Sequence, residues 1–224
     1  MSQINSMLSI AQNEIGYLEK KSNSNLDDKT ANAGSKNYTK YWRDLKPSWQ
    51  GSYWCQAFVN WVFVKAFGET KAKEMLYATN GLSYYTPDAS NFFKNNKAWY
   101  TSPKVGDIIY FKNSIRIHHV GIVIEVSNGR VFTIEGNTSS GKEVIANGGA
   151  VCAKDYSLSD SRIAGYGRPK YAESEITYTT YNITTGRAGL VVISSSALNI
   201  RKEPSTSSDV VGTLAKGTAI YPET

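Results

Sequence analysis

A chain of 224 residues with 41% hydrophobic and 20% charged side chains carries enough apolar material for a packed core, which excludes wholesale disorder. Its net charge of +6 suits an anionic partner, but Lys and Arg are scattered rather than clustered, so there is no nucleic-acid footprint. No apolar stretch reaches the roughly 18 residues of a membrane span.

The N-terminal segment lacks a basic run followed by an apolar one, so no signal peptide is visible, and synthesis in the cytosol without classical secretion is expected. Ile4, Leu8, Ala11, Ile15 and Leu18 step by four, three, four and three, which predicts one amphipathic helix face. Residues 22–40, rich in Asn, Ser, Asp, Lys and Gly, read as a long loop whose acids Asp27 and Asp28 are solvated. From Trp54 to Phe67 the chain is apolar almost all round, which predicts a buried helix ended by Gly68. A further helix follows over 69–76. Thr86-Pro87-Asp88 reads as an N-cap with Pro at the first helical position, opening a short helix that carries Phe92 and Phe93.

The period then changes to two. Strands are expected over 107–111, 120–126, 130–135 and 150–154, with a last one near 165–168. Helices first and a meander of strands after predict an α+β fold, with N-terminal helices packed on an antiparallel sheet. After Tyr171 the texture changes to a Thr- and Tyr-rich stretch read as a linker. Residues 190–224 form a small all-β segment. The expected organisation is a main domain over 1–171, a linker over 172–189 and the β segment over 190–224.

Cys55 and Cys152 are the only cysteines and could form at most one disulfide. Cys55 stands at the start of the buried helix, where unpaired N–H groups and the helix dipole favour a thiolate. A thiol nucleophile also needs a base, and the only histidines are His118 and His119, at the start of the 120–126 strand. Two hairpin registers are open there. A two-residue Asn128-Gly129 turn pairs Val126 with Val131, whereas a three-residue turn pairs Val126 with Arg130. Only the second keeps one face apolar, with Ile122 opposite Ile134 and Ile124 opposite Phe132. It places His119, Glu135 and Asn137 together on the other face, with Asn137 across from His119 and Glu135 over Gly121, and turns His118 away. The carboxylate or the amide would accept the Nδ1 proton and orient the ring. The Cys55 backbone N–H is a natural oxyanion donor, and Gln50 or Tyr53 is a candidate for the second.

Four ordered blocks carry a resemblance. Trp54-Cys55-Gln56-Ala57-Phe58-Val59-Asn60-Trp61, Gly106-Asp107-Ile108-Ile109-Tyr110-Phe111, His119-Val120-Gly121-Ile122-Val123 and Ile134-Glu135-Gly136-Asn137-Thr138 resemble the CHAP domain, the cysteine, histidine-dependent amidohydrolase/peptidase. The resemblance spans residues 1–171. It implies a papain-like core, hydrolysis of peptidoglycan, Cys55 as nucleophile, His119 as base, and Glu135 and Asn137 as the residues that orient it. The tail, with Ala197-Leu198-Asn199-Ile200-Arg201, Pro204-Ser205-Thr206 and Gly212-Thr213-Leu214, resembles the opening of a bacterial SH3-like domain, a class that commonly binds cell wall; the later strands are not in the sequence, so a partial module is expected. Together these imply a wall amidase or endopeptidase, in the manner of a phage or prophage endolysin released through a membrane hole. Peptidoglycan is the expected partner, with no nucleic acid, no cofactor, no metal and a monomeric state.

Other readings fit the residues less well. Gly136-Asn137-Thr138-Ser139-Ser140-Gly141-Lys142 nearly spells a phosphate-binding loop, but Glu143 stands where Ser or Thr is required. A zinc site from Cys55, His118, His119 and Cys152 matches no closed-site spacing, and adjacent strand histidines diverge. No Gly-x-Ser-x-Gly elbow supports a serine hydrolase. A wall-binding protein with a silent hydrolase domain and a host-encoded wall-remodelling hydrolase are the remaining alternatives.

Overall fold

The structure is a computed structural model that describes residues 2–141, 143–145, 147–172, 198–201 and 210–214. The chain divides into two compact units, Ser2–Ser174 and Glu175–Thr224. The linker expected over 172–189 lies, apart from Ala172, outside the described residues.

The first unit opens with α1 (Gln3–Asn13), capped by the Ser2 hydroxyl accepting from the Asn5 N–H. The helix ends five residues earlier than its apolar spacing suggests. Beyond it the chain extends, and Tyr17, Glu19 and Lys20 are buried by bridges from Leu18 to Ala150 and from Lys20 to Ala33 and Tyr38. Ile15 consequently stays 38% exposed, off the helix face. Two short pieces were not foreseen: α2 (Lys40–Leu45), capped by Thr39, and a 3₁₀ turn over Pro47–Trp49. The loop before them does expose acids, but Arg43 of α2 and the loop's own amides engage them. Asp27 takes both guanidinium nitrogens of Arg43, and Asp28 accepts from the N–H groups of Thr30 and Ala31.

The buried helix is α3 (Cys55–Phe67), and every residue from Cys55 to Phe63 is buried. Gly68 ends it, and α4 (Glu69–Met75) follows. The aromatic richness of the chain is spent around α3: Tyr41 stacks on Trp54 at 5.2 Å and meets Phe58 and Trp61 edge-on at 5.3 and 5.1 Å. Next comes α5 (Thr86–Asn95). Its cap position is Tyr85 rather than Thr86, and the Thr86 hydroxyl instead donates to the Ile117 carbonyl across the fold.

The strands are β1 (Trp99–Tyr100), β2 (Ile108–Lys112), β3 (Ile117–Ser127), β4 (Arg130–Thr138), β5 (Ala150–Ser157) and β6 (Ile163–Gly167). They form one antiparallel sheet in the order β1-β6-β2-β3-β4-β5. Ile108, Tyr110, Val120, Ile122 and Ile134 meet the helices on one face; Ile109, Phe111, Val123, Val131 and Tyr156 make a second cluster on the other. The expected α+β architecture is what the chain adopts.

The β3–β4 hairpin combines both registers the sequence allows. At its tip Ser127 pairs with Arg130 and Val126 with Val131 across a two-residue turn, with Asn128 and Gly129 both at positive φ. A bulge between Val123 and Glu125 then absorbs one residue, and Ile122 faces Ile134. The expected pairing of Ile124 with Phe132 is replaced by Glu125 with Phe132. The turn chemistry decided the tip, and burial of the apolar face decided the far end.

In the second unit β7 (Leu198–Arg201) and β8 (Val210–Leu214) pair antiparallel, Leu198 opposite Leu214.

Candidate active site

Cys55 is the first residue of α3, where the first-turn N–H groups have no acceptor within the helix. The turn that delivers it is fixed by side chains. The Trp54 indole donates to buried Glu19 at 2.9 Å, and the Trp42 indole donates to the Ser52 carbonyl at 2.9 Å. Gln50, a candidate second oxyanion donor, is used up in the same turn: its Oε1 accepts from the Thr39 N–H, and its Nε2 donates to the Thr39 carbonyl and to Asn23 Oδ1. An amide with both hydrogens committed has none left for a developing charge, so Gln50 is a clamp of the entry turn. Tyr53, the other candidate, is 60% exposed and has no hydrogen bond to any described residue.

His119 is fully buried on β3, and its Nε2 lies 2.9 Å from Glu135 Oε2. Burial opposes a charge on the ring, yet hydrogen bonding to Cys55 and Glu135 and the attraction of both push its pKa up to about 9. The carboxylate therefore holds Nε2, not the Nδ1 expected from the sequence, and Nδ1 is left for the Cys55 thiol. Strand pairing gives the face a side chain occupies but not which ring atom points along it. Nδ1 is buried and makes no hydrogen bond of standard geometry, although the thiol is near enough to act on the ring. Thiol and imidazole are thus neighbours without a formed hydrogen bond between them.

Glu135 is itself held from three sides. Besides the imidazole, Thr133 Oγ1 donates to its Oε1 at 2.6 Å and the Tyr156 hydroxyl to its Oε2 at 3.2 Å. Sequence reasoning missed both donors. Thr133 was findable, because it stands two residues before Glu135 on the same strand face; Tyr156 sits on β5, opposite Val131, and nothing local marks it. Gly121 gives the carboxylate room: a Cβ there would lie 2.6 Å from Glu135 Cγ.

Asn137 departs from expectation. It is buried, but its Oδ1 accepts from the Gly149 N–H at 3.2 Å and its Nδ2 has no partner; it makes no hydrogen bond to His119. The cause is a bulge. Glu135 pairs with Cys152 and Thr138 with Ala150, so Gly136 and Asn137 share one opposite residue, and Asn137 takes a positive φ of 56°. Strict alternation fails there, and the carboxamide turns to the loop before β5. His118 is half-buried, and burial, His119 and Arg116 lower its pKa, while the backbone of Val144 opposes that shift. It stands outside the thiol–imidazole–carboxylate row.

Both cysteines are free, with Cys152 on β5 opposite Glu135. Among the described residues no three His, Cys, Asp or Glu side chains gather as a metal site. No helix follows Thr138 in the described part of the phosphate-loop-like stretch; Gly148 N–H bonds back to the Asn137 carbonyl. Among described residues no helix is long and apolar enough to cross a membrane.

No curated protein matches the chain. Among solved structures, the crystal structure of Ly7917 is similar at 18% identity, covering 96% of this chain and 79% of its own with a TM-score of 0.44. The crystal structure of Ly7917 with the hydrolyzing product of MDP is similar at 17% identity over the same shares, with a TM-score of 0.43. The family model that matches is the CHAP domain, over residues 47–137, a segment that holds Cys55, His119, Glu135 and Asn137 and whose papain-like α+β arrangement agrees with the fold described above.

Proposed function

We propose that the chain is a peptidoglycan hydrolase that cuts amide bonds of the bacterial wall with Cys55 as nucleophile and His119 as its acid–base partner. The observation that carries this reading is a buried imidazole whose Nε2 lies 2.9 Å from the Glu135 carboxylate, with the thiol of a helix start acting on the same ring. The CHAP match over the same residues supports the substrate class. The proton of the Cys55–His119 pair rests on His119, whose pKa is raised, as sulfur bonds to the amide carbonyl. The C–N bond then breaks as His119 returns that proton to the leaving amine. Water, losing a proton to His119, opens the thioester and restores the thiol. Cys55 N–H and its first-turn neighbours receive the oxyanion. The bond cut lies between muramic acid and L-Ala or within the stem or bridge peptides, and the biological role is that of an endolysin.

The test is turbidity loss of a purified wall suspension. Cys55→Ala is expected to slow it by at least about a thousandfold while circular dichroism and the folded baseline stay unchanged. Equal lysis by Cys55→Ala would overturn the reading. Mass spectrometry of the fragments then identifies the bond, since an amidase frees an N-terminal L-Ala and an endopeptidase does not.

A further inference from the structure

An open cleft of roughly 590 Å³, solvent-facing space included and with neither Cys55 nor His119 in its lining, lies between the end of α5, the end of β2 and the turn from β2 into β3. Three cations line it: Lys94 from the last turn of α5, Lys112 from the end of β2 and Arg116 from the turn. All three are exposed, no Asp or Glu lines the cleft, and none of the three has a carboxylate partner among the described residues. Other exposed lysines, such as Lys21, Lys36 and Lys104, also lack an acid partner among the described residues, and what sets these three apart is that they line one concavity. Two of the three are held in place without being neutralised. Lys94 Nζ sits 4.8 Å from the Trp99 ring centre, and Arg116 lies over Tyr85 at 5.3 Å while donating to the Ile117 carbonyl. Like charges gathered in one concavity, with no local acid, repel one another and gain most from an anionic ligand.

We propose that this cleft binds the phosphodiester groups of an anionic polymer, of the polyol-phosphate kind, and so tethers the enzyme beside its cutting site. Phosphodiesters suit it better than the stem peptides of peptidoglycan, whose carboxylates alternate with amines that three cations repel. A chain with one charge per repeat can meet Lys94, Lys112 and Arg116 in succession and release counterions at each. That the polymer belongs to the wall rests on the hydrolase reading; the binding itself does not.

The experiment measures calorimetric binding of poly(glycerol phosphate) to the full chain at low and moderate salt. The Lys94→Gln/Lys112→Gln/Arg116→Gln variant is compared with Lys21→Gln/Lys36→Gln/Lys104→Gln, which loses the same net charge from exposed positions outside the cleft. The cleft variant is expected to bind roughly tenfold more weakly or worse, with a shallower salt dependence, and the control close to the parent. It should also lyse polymer-bearing walls more slowly than the parent while matching it on walls stripped of the polymer. Three results overturn the proposal: equal weakening in both variants, which means net charge alone; equally tight binding of polyglutamate at matched charge; and no binding by the parent. If the binding fails while Cys55-dependent lysis stands, only this inference falls.

Discussion

At the scale of single residues the unusual feature is how completely one carboxylate is used. Glu135 has no contact with solvent and receives the imidazole, Thr133 and Tyr156. A buried charge without such donors would be costly, and each donor removed leaves part of that cost exposed. Replacing Glu135 by Gln keeps the shape but removes the charge that supports the imidazolium. The alkaline limb of kcat/KM, expected near pH 9 where His119 loses its proton, should move to lower pH, with a loss of about a hundredfold at its optimum. A pH–rate profile of wall lysis checks both. His119→Ala should cost far more than His118→Ala, because only residue 119 stands in the row. Asn137→Ala should behave differently again. Its side chain holds the Gly149 N–H rather than the ring, so thermal stability should fall by about 1 kcal/mol while the alkaline limb stays in place. A shift of that limb in Asn137→Ala would show that the amide does reach the imidazole.

At the scale of elements, one glycine lets helix and hairpin come close and another makes room between the two strands of the hairpin. A Cβ on Gly136 would lie 2.5 Å from Phe58 Cβ, and one on Gly121 2.6 Å from Glu135 Cγ. The first contact sets the distance of α3, and so of the sulfur, from the sheet; the second sets the position of the carboxylate. Gly136→Ala should therefore lower stability by about 1–3 kcal/mol, as overpacking does, and slow lysis through misplacement of Cys55. Gly121→Ala should harm lysis more than stability, because a carboxylate pushed aside costs the ring its support. Parallel melts and lysis rates of the two variants separate these effects. Most of these elements were legible beforehand. The helix of Cys55 announced itself by being apolar on every side, and the strands by their change of period. The early stop of α1 was not legible, because its apolar spacing continues to Leu18 while the chain leaves the helix to bury Tyr17 and Glu19 against residues far away.

At the scale of the whole molecule, the buried imidazole couples the site to folding. Its pKa is about 9 in the folded chain against 6.5 for the free side chain. A group with a raised folded pKa stabilises fully below its unfolded value and loses that contribution as pH rises through the folded one. Stability should thus be highest near pH 6 and fall between about pH 6.5 and 9, by up to on the order of 3 kcal/mol. Denaturant titrations across that range test it. In Cys55→Ala the decline should be smaller and complete at lower pH, since one of the two groups that raise the ring's pKa is gone.

What the chain's order of residues determined by itself was type, face and neighbourhood: an α+β unit, a thiol at a helix start, and a histidine that shares a hairpin with an acid standing over Gly121. Those follow from periodicities of 3.6 and 2, which are properties of local backbone. Tertiary structure alone decided the ring nitrogen that the carboxylate holds, the bulge that turns Asn137 to Gly149, the use of Gln50 as a clamp and the arrival of Tyr156 from a strand farther along the sheet. The physical reason is that a bulge or a tautomer is selected by partners distant in sequence. One inserted residue resets every side chain beyond it, and no local pattern records where it falls.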